Sequence, residues 1–234
     1  MENFKLSKKD AIYVTSWASY NEGLGSGGWL MLDNLVDLDQ ADLFKEYAKI
    51  DLEPAGFDEE LVVHDYDDMS GVGYYELLGE NHPQAAINLY NELAALEDNE
   101  FQAFIGIKEA WGADDAMSKL ESNELQNFNV LNESDFDDYL DMIAESYFEN
   151  GDTRFIQSYL DYEMLIRDLN LDYDEDDEES FEATYDNVDE YIDVASSEFL
   201  QRYFDYDEFK RNVLMEGYIE EFEYDGFAYY LMEA

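Results

Sequence analysis

A chain with a formal net charge of −48 over 234 residues repels itself as it folds. Highly acidic chains often stay disordered, because they bury too little apolar surface to offset the entropy of ordering. Here 46% of residues are hydrophobic and 16% aromatic, with Tyr at 20 positions and Phe at 15, so a folded core is within reach. The charge then disfavours one ball and favours several small cores strung along an elongated body. The chain has two prolines, Pro54 and Pro83, and no Gly/Ser-rich linker, so these units should be joined tightly.

Cysteine is absent, which removes disulfides, thiolate catalysis and thiolate metal sites. The opening "MENFKLSKKDAIYV" does not read as a signal peptide, and no long uncharged apolar segment follows. The reading is a soluble protein of the cytoplasm with no membrane contact.

Hydrophobic periodicity gives an α+β fold in three modules. In the first, residues 1–72, the pattern predicts strands at 11–18, 28–32 and 60–66. A helix over "DLDQADLFKEYAKI" lies between the last two, with Asp39 as its N-cap and Leu43, Tyr47 and Ile50 at helical spacing. The second, residues 73–130, reads as a helical bundle: Ala86, Leu89, Leu93 and Leu96 form one stripe, a second helix ends near Gly112, and a short third follows. The third, residues 131–234, contains an internal repeat. "FIQSYLDYEMLIRDL" (155–169) aligns without gaps on "FLQRYFDYDEFKRNV" (199–213) at an offset of 44. Helices precede both copies, the first with a capping-box-like start at Ser134 and Asp137. Two copies are too few for a solenoid. The chain closes with a hairpin turning on Asp225-Gly226.

Several motifs fail on their chemistry. Gly23, Gly25 and Gly28 spell G-x-G-x-x-G, but a dinucleotide loop must open a helix whose amides hold the pyrophosphate. Trp29-Leu30-Met31-Leu32 is a strand pattern, and the ligand would be an anion approaching an anion. "DYDEDDEESFEA" from Asp172 lacks the glycine of a calcium loop, since its sixth position is Asp177 and its twelfth Ala183. His64 and His82 have no neighbouring nucleophile or metal-ligand spacing and read as structural. No cofactor, metal or catalytic residue is expected, and the chain is not read as an enzyme.

The charge itself is the remaining signal. From Asp168 through Gln201 there are 14 Asp or Glu and no Lys or Arg, interleaved with Tyr173, Phe181, Tyr185 and Tyr191. Duplex DNA carries one charge per ~1.7 Å of axis, so this chain matches roughly 80 Å of duplex. A compact domain of this length has a radius of gyration of only about 17 Å. Carboxylates in a rigid row can occupy Lys and Arg sites meant for phosphates. The candidate phosphate-mimicking residues are Asp65, Asp67 and Asp68; Glu97, Asp98 and Glu100; and Asp172, Asp174, Glu175, Asp176, Asp177, Glu178, Glu179 and Glu182.

Three stretches resemble the ArdA family of antirestriction proteins. "IYVTSWASYNEGLGSGGWLML" (12–32) is similar to its opening strand, "YNEG"-type loop and "GxW" strand. "VVHDYDD" resembles its "HDYE"-like segment. "FLQRYFDYDEFKRNVLMEGYIEEFEYDGFAYYLM" resembles its closing helix and hairpin. The resemblance implies an elongated three-part α+β protein that mimics bent DNA, inhibits type I restriction–modification enzymes in their DNA groove, binds no nucleic acid itself and forms a homodimer through its C-terminal part. This chain departs from the family in carrying the "YxDY" helix twice. Phosphate mimicry does not name the partner, so a CRISPR effector or nucleoid protein stays open as target. A cation buffer or an acidic chaperone for basic proteins is a reading of another class.

Overall fold

The computed structural model describes residues 4–23, 27–36, 61–169 and 195–233, with isolated positions between them (38, 42, 45–47, 49, 184, 188, 191 and 192). Backbone contacts divide the chain into two units, residues 1–130 with 221–234, and residues 131–220. The architecture is α+β, combining helices with two three-stranded antiparallel sheets.

The first sheet has the order β2-β1-β3, from β1 (Ala11–Ser16), β2 (Gly28–Met31) and β3 (Leu61–Asp67). Ile12 and Val14 point inward and are fully buried. The strand expected over 11–18 is cut short at Ser16, whose hydroxyl accepts the Ser19 N–H at 3.1 Å and caps α1 (Trp17–Glu22). Gly23, at φ +65°, ends that helix in the left-handed conformation glycine allows. The glycines therefore follow a helix and lead into a strand, the reverse of a dinucleotide loop.

Between Tyr13 and Val14 the β1–β3 register shifts: Tyr13 pairs with Asp65 but Val14 with Val63. His64 is the extra residue of a β-bulge. Of the helix expected between 37 and 50, residues 42, 45–47 and 49 are helical and Tyr47 is buried; Asp39, Leu43 and Ile50 lie outside the described residues.

Four helices follow: α2 (Tyr74–Leu78), α3 (Pro83–Ala94), α4 (Asp98–Trp111) and α5 (Ala113–Glu121). The α3 stripe is buried at Ala86, Leu89 and Leu93, and Leu96 packs against the same core. "FNVLN" then forms β4 (Phe128–Asn132), which the sequence reading missed. It joins β5 (Ile219–Tyr224) and β6 (Phe227–Glu233) in the order β4-β6-β5. Asp225 and Gly226 have φ of 51° and 77°, the positive pair that a type I′ hairpin turn requires. Phe222, Tyr229 and Leu231 of this hairpin share one core with Phe4, Ile12, Leu89 and Phe104.

The second unit opens with α6 (Glu133–Asn150). Its N-cap is Asn132, whose side chain accepts the Asp135 N–H at 2.9 Å; the capping start expected at Ser134 falls inside the helix. Asn is as good a cap as Ser, and the preceding strand ends there. The repeat follows as α7 (Thr153–Ser158) with α8 (Tyr162–Asp168), then α9 (Ser197–Leu200) with α10 (Tyr206–Met215).

The two copies pair with each other about a local two-fold. Asp161 N–H donates to Tyr203 C=O at 2.7 Å, and Asp205 N–H donates to Tyr159 C=O at 2.7 Å. Leu160 and Phe204 form the antiparallel bridge between them. Each bond is the other with the two copies exchanged, Asp161 for Asp205 and Tyr203 for Tyr159. The caps match too: Asp161 accepts from Met164 N–H and Asp205 from Glu208 N–H, both at 2.8 Å. Asp161→Ala and Asp205→Ala should each lower unfolding free energy by about 1 kcal/mol. Urea titration of each variant checks this, and no loss from either would show that the caps are idle.

Candidate partner-binding surface

Twelve basic residues cannot neutralise sixty acidic ones pairwise. The ion pairs of the described residues are few and mostly exposed: Lys8 with Asp33 at 3.8 Å, Lys119 with Glu124 at 2.6 Å, Lys210 with Asp137 at 3.1 Å. Such pairs contribute about 0–1 kcal/mol each. The surface is therefore mainly uncompensated carboxylate.

β3 carries Asp65 and Asp67 outward, both exposed. Asp65 pairs across β1 with Tyr13, which pairs in turn with Trp29 on β2. Asp68 has a different task. Its carboxylate accepts the Val72 N–H at 3.0 Å and also the Gly73 N–H, which organises the loop from Asp68 to Gly73. The same loop receives the buried Lys108, whose ammonium donates to Gly71 C=O at 3.1 Å, and the Tyr224 hydroxyl, which donates to Ser70 C=O at 2.6 Å. Burial pushes the Tyr224 hydroxyl up to about 12, and the Asp68, Asp225 and Glu109 carboxylates add to the shift.

Glu97, Asp98 and Glu100 stand at the start of α4. Glu97 is the N-cap residue, and Glu100 Oε2 accepts its N–H at 3.0 Å. Asp98 sits in the first turn, where the helix dipole favours a negative charge. These carboxylates thus stabilise the helix start as well as adding charge. Glu97 and Asp98 are exposed and Glu100 is half-buried.

α6 holds an acidic array that the sequence reading passed over. Phe136, Leu140, Ala144 and Phe148 form its buried stripe. On its exposed faces stand Glu133, Asp135, Asp137, Asp138, Asp141, Glu145 and Glu149, and the helix contains no Lys or Arg. Asp137, Asp141, Glu145 and Glu149 recur every four residues and make one ridge. Like charges at this spacing cost about 0.2–0.5 kcal/mol per pair. Glu149 also lies in the last turn, where the dipole disfavours it. The signal was present in "SDFDDYLDMIAESYFENG" as an acidic period of four running beside the apolar one.

The imidazoles take structural places. His82 caps α3, its Nδ1 accepting the Gln84 N–H at 3.2 Å ahead of Pro83. His64 stacks on Tyr20 with ring centroids 4.4 Å apart, and its Nδ1 lies 3.9 Å from Glu80 Oε1. Among the described residues no three His, Asp or Glu side chains converge as a metal-ligand set. Nor is any described helix long and apolar enough to cross a membrane.

Asp172, Asp174, Glu175, Asp176, Asp177, Glu178, Glu179 and Glu182 lie outside the described residues. The candidates that are described fall on three places: the outer face of the first sheet, the loop after it and the start of α4.

Comparison with protein families finds a match over residues 12–178 to the model described as antirestriction protein (ArdA). The matched span includes the first copy of the repeat and ends before the second copy and the closing hairpin. Comparison with curated proteins and with solved structures gave no match.

Proposed function

The chain belongs to the ArdA family of antirestriction proteins, and from that premise we propose that it inhibits type I restriction–modification enzymes by occupying their DNA-binding groove. The observation that carries this reading is the α6 array. From Glu133 to Glu149 the helix advances about 24 Å at 1.5 Å per residue. Seven exposed carboxylates over that distance give about one charge per 4 Å. A single DNA strand carries one per about 3.4 Å of axis.

The mechanism is competition by occupancy, without chemistry on the partner. Lys and Arg that would hold phosphates bind carboxylates instead, and both sides release counterions. In the first unit the outward Asp65 and Asp67 and the α4-start carboxylates add further charge, and the acidic run 172–182 adds more along the chain. Asp68 is the exception in that group, since its carboxylate is committed to its own loop.

Phosphate contacts carry little sequence information. Inhibition should therefore be blind to the recognition sequence. Phage plating on strains with type I systems of different recognition sequences, with and without this protein, checks it. Relief of restriction across the systems is expected. Relief confined to one recognition sequence would contradict phosphate mimicry.

A further inference from the structure

The acidic surface leaves one feature unused. Trp17 is 37% exposed, Tyr20 54%, Trp29 46% and Met31 43%, all in the first unit on or beside the outer face of the first sheet. Exposed apolar groups gathered in this way mark interaction sites. We infer that this aromatic face binds an arginine-bearing basic segment of the DNA-binding partner, stacking guanidinium planes while neighbouring carboxylates take their N–H groups.

The placement follows from strand register. Trp29, Tyr13 and Asp65 stand in one cross-strand row, and the Tyr13 and Trp29 rings meet edge to face at 5.4 Å. The β-bulge adds to this row. Val63 is buried and Tyr66 pairs with the inward Ile12, so the two residues between them, His64 and Asp65, both face outward. His64 thereby reaches Tyr20, which meets Trp17 edge to face at 5.6 Å. Asp67 and Glu80 lie at the margin, and among the described residues neither Asp65 nor Asp67 has a cation within ion-pair distance.

Charge selects the occupant. A second copy of this chain would bring its own net −48 against Asp65 and Asp67. A basic segment meets both parts of the surface. Arginine suits it better than lysine, because a planar guanidinium stacks on a ring and still presents its donors at the edge, whereas an ammonium is a strongly hydrated point charge.

The inference rests on the proposed function for the identity of its partner, but its test needs only the chain and two peptides. Calorimetric titration compares hexa-arginine with hexa-lysine at matched salt, for the wild type and for the Trp17→Ala/Trp29→Ala variant. The wild type should bind hexa-arginine roughly tenfold tighter. The double variant should lose most of that preference and keep its salt dependence, because no charge has changed. If the double variant does not fold, the single Trp29→Ala change on the edge strand β2 is measured instead. Equal affinity of the wild type for the two peptides, or a preference that survives in the folded variant, would overturn the inference. Either result can occur whether or not a restriction enzyme is inhibited.

Discussion

Replacing Asp137, Asp141, Glu145 and Glu149 together by Asn, Asn, Gln and Gln should weaken partner binding and stabilise the fold at once. The stability side is local. Four like-charge pairs four residues apart disappear, the first being Glu133 with Asp137, returning about 1–2 kcal/mol. Removing the negative charge of Glu149 from the last helical turn returns about 0.5 kcal/mol more. The Asp137–Lys210 pair is lost, but it is partly exposed and contributes little. The sum predicts a melting temperature higher by a few degrees.

The binding side has the opposite sign. Each carboxylate that stands in a phosphate site should contribute about one unit to the salt slope. Four neutralised together should lower affinity ten- to hundredfold at low salt and flatten that slope, on the order expected for close charge pairs at an interface. Single substitutions should do little, because the remaining charges hold the same groove. Thermal melts and equilibrium competition on the same preparations read both quantities. A variant that is more stable and binds as tightly as wild type would remove the α6 ridge from the interface.

The second large effect concerns a carboxylate that never meets a partner. Asp10 is fully buried between β1 and the loop that follows β3. Its carboxylate accepts the Met69 N–H at 2.9 Å, the Tyr74 hydroxyl at 3.1 Å and the Ser70 hydroxyl, while Ser70 Oγ accepts the Ser7 N–H at 2.8 Å. Asp10→Ala leaves these donors buried and unsatisfied. Hydrogen bonds to charged groups contribute about 1.5–3 kcal/mol, and an orphaned buried donor costs about as much. A loss of about 3 kcal/mol is expected, which lowers the melting temperature by roughly 6–12 °C for a chain of this size. A drop of less than a degree would show that the network does not hold the loop.

The same carboxyl sets a pH dependence. Burial pushes the Asp10 pKa above its ordinary 3.8, against the lowering effect of the Ser70 and Tyr74 hydrogen bonds. The folded state therefore holds this proton more tightly than the unfolded state. Its contribution to stability is fully present below 3.8 and is lost as pH rises through the raised folded value. In melts at increasing pH, the advantage of wild type over Asp10→Asn should shrink across that window. An advantage that grows with pH would reverse the assignment.

What could be read in the sequence depended on how local the cause was. Asp225-Gly226 fixes its turn through its own backbone preferences and was legible, as was the Ala86–Leu89–Leu93 stripe. The N-terminal glycines were rejected as a cofactor loop because a strand pattern follows them. α1 was missed because six residues with Trp17 at the front continue the alternation of β1, although Ser16 and Gly23 supplied both caps. β4 was hidden because "FNVLN" is short and lies between helices. Among the acids, composition worked against selection: with sixty of them, every segment looks like a surface. Asp10 is set apart only by the Met69 amide and the Ser70 and Tyr74 hydroxyls that reach it from far along the chain, and Asp68 by the Val72 and Gly73 amides of its own loop. The α6 ridge was the exception, readable from its period of four.

The most direct test of the central claim is displacement of DNA from a type I methyltransferase core. The core is loaded with fluorescent cognate duplex and titrated with this protein at two salt concentrations. Phosphate mimicry predicts displacement at near-stoichiometric ratios, weakening as salt rises. A duplex that stays bound while the folded protein is in excess, or a ternary complex of protein, core and duplex, would contradict it.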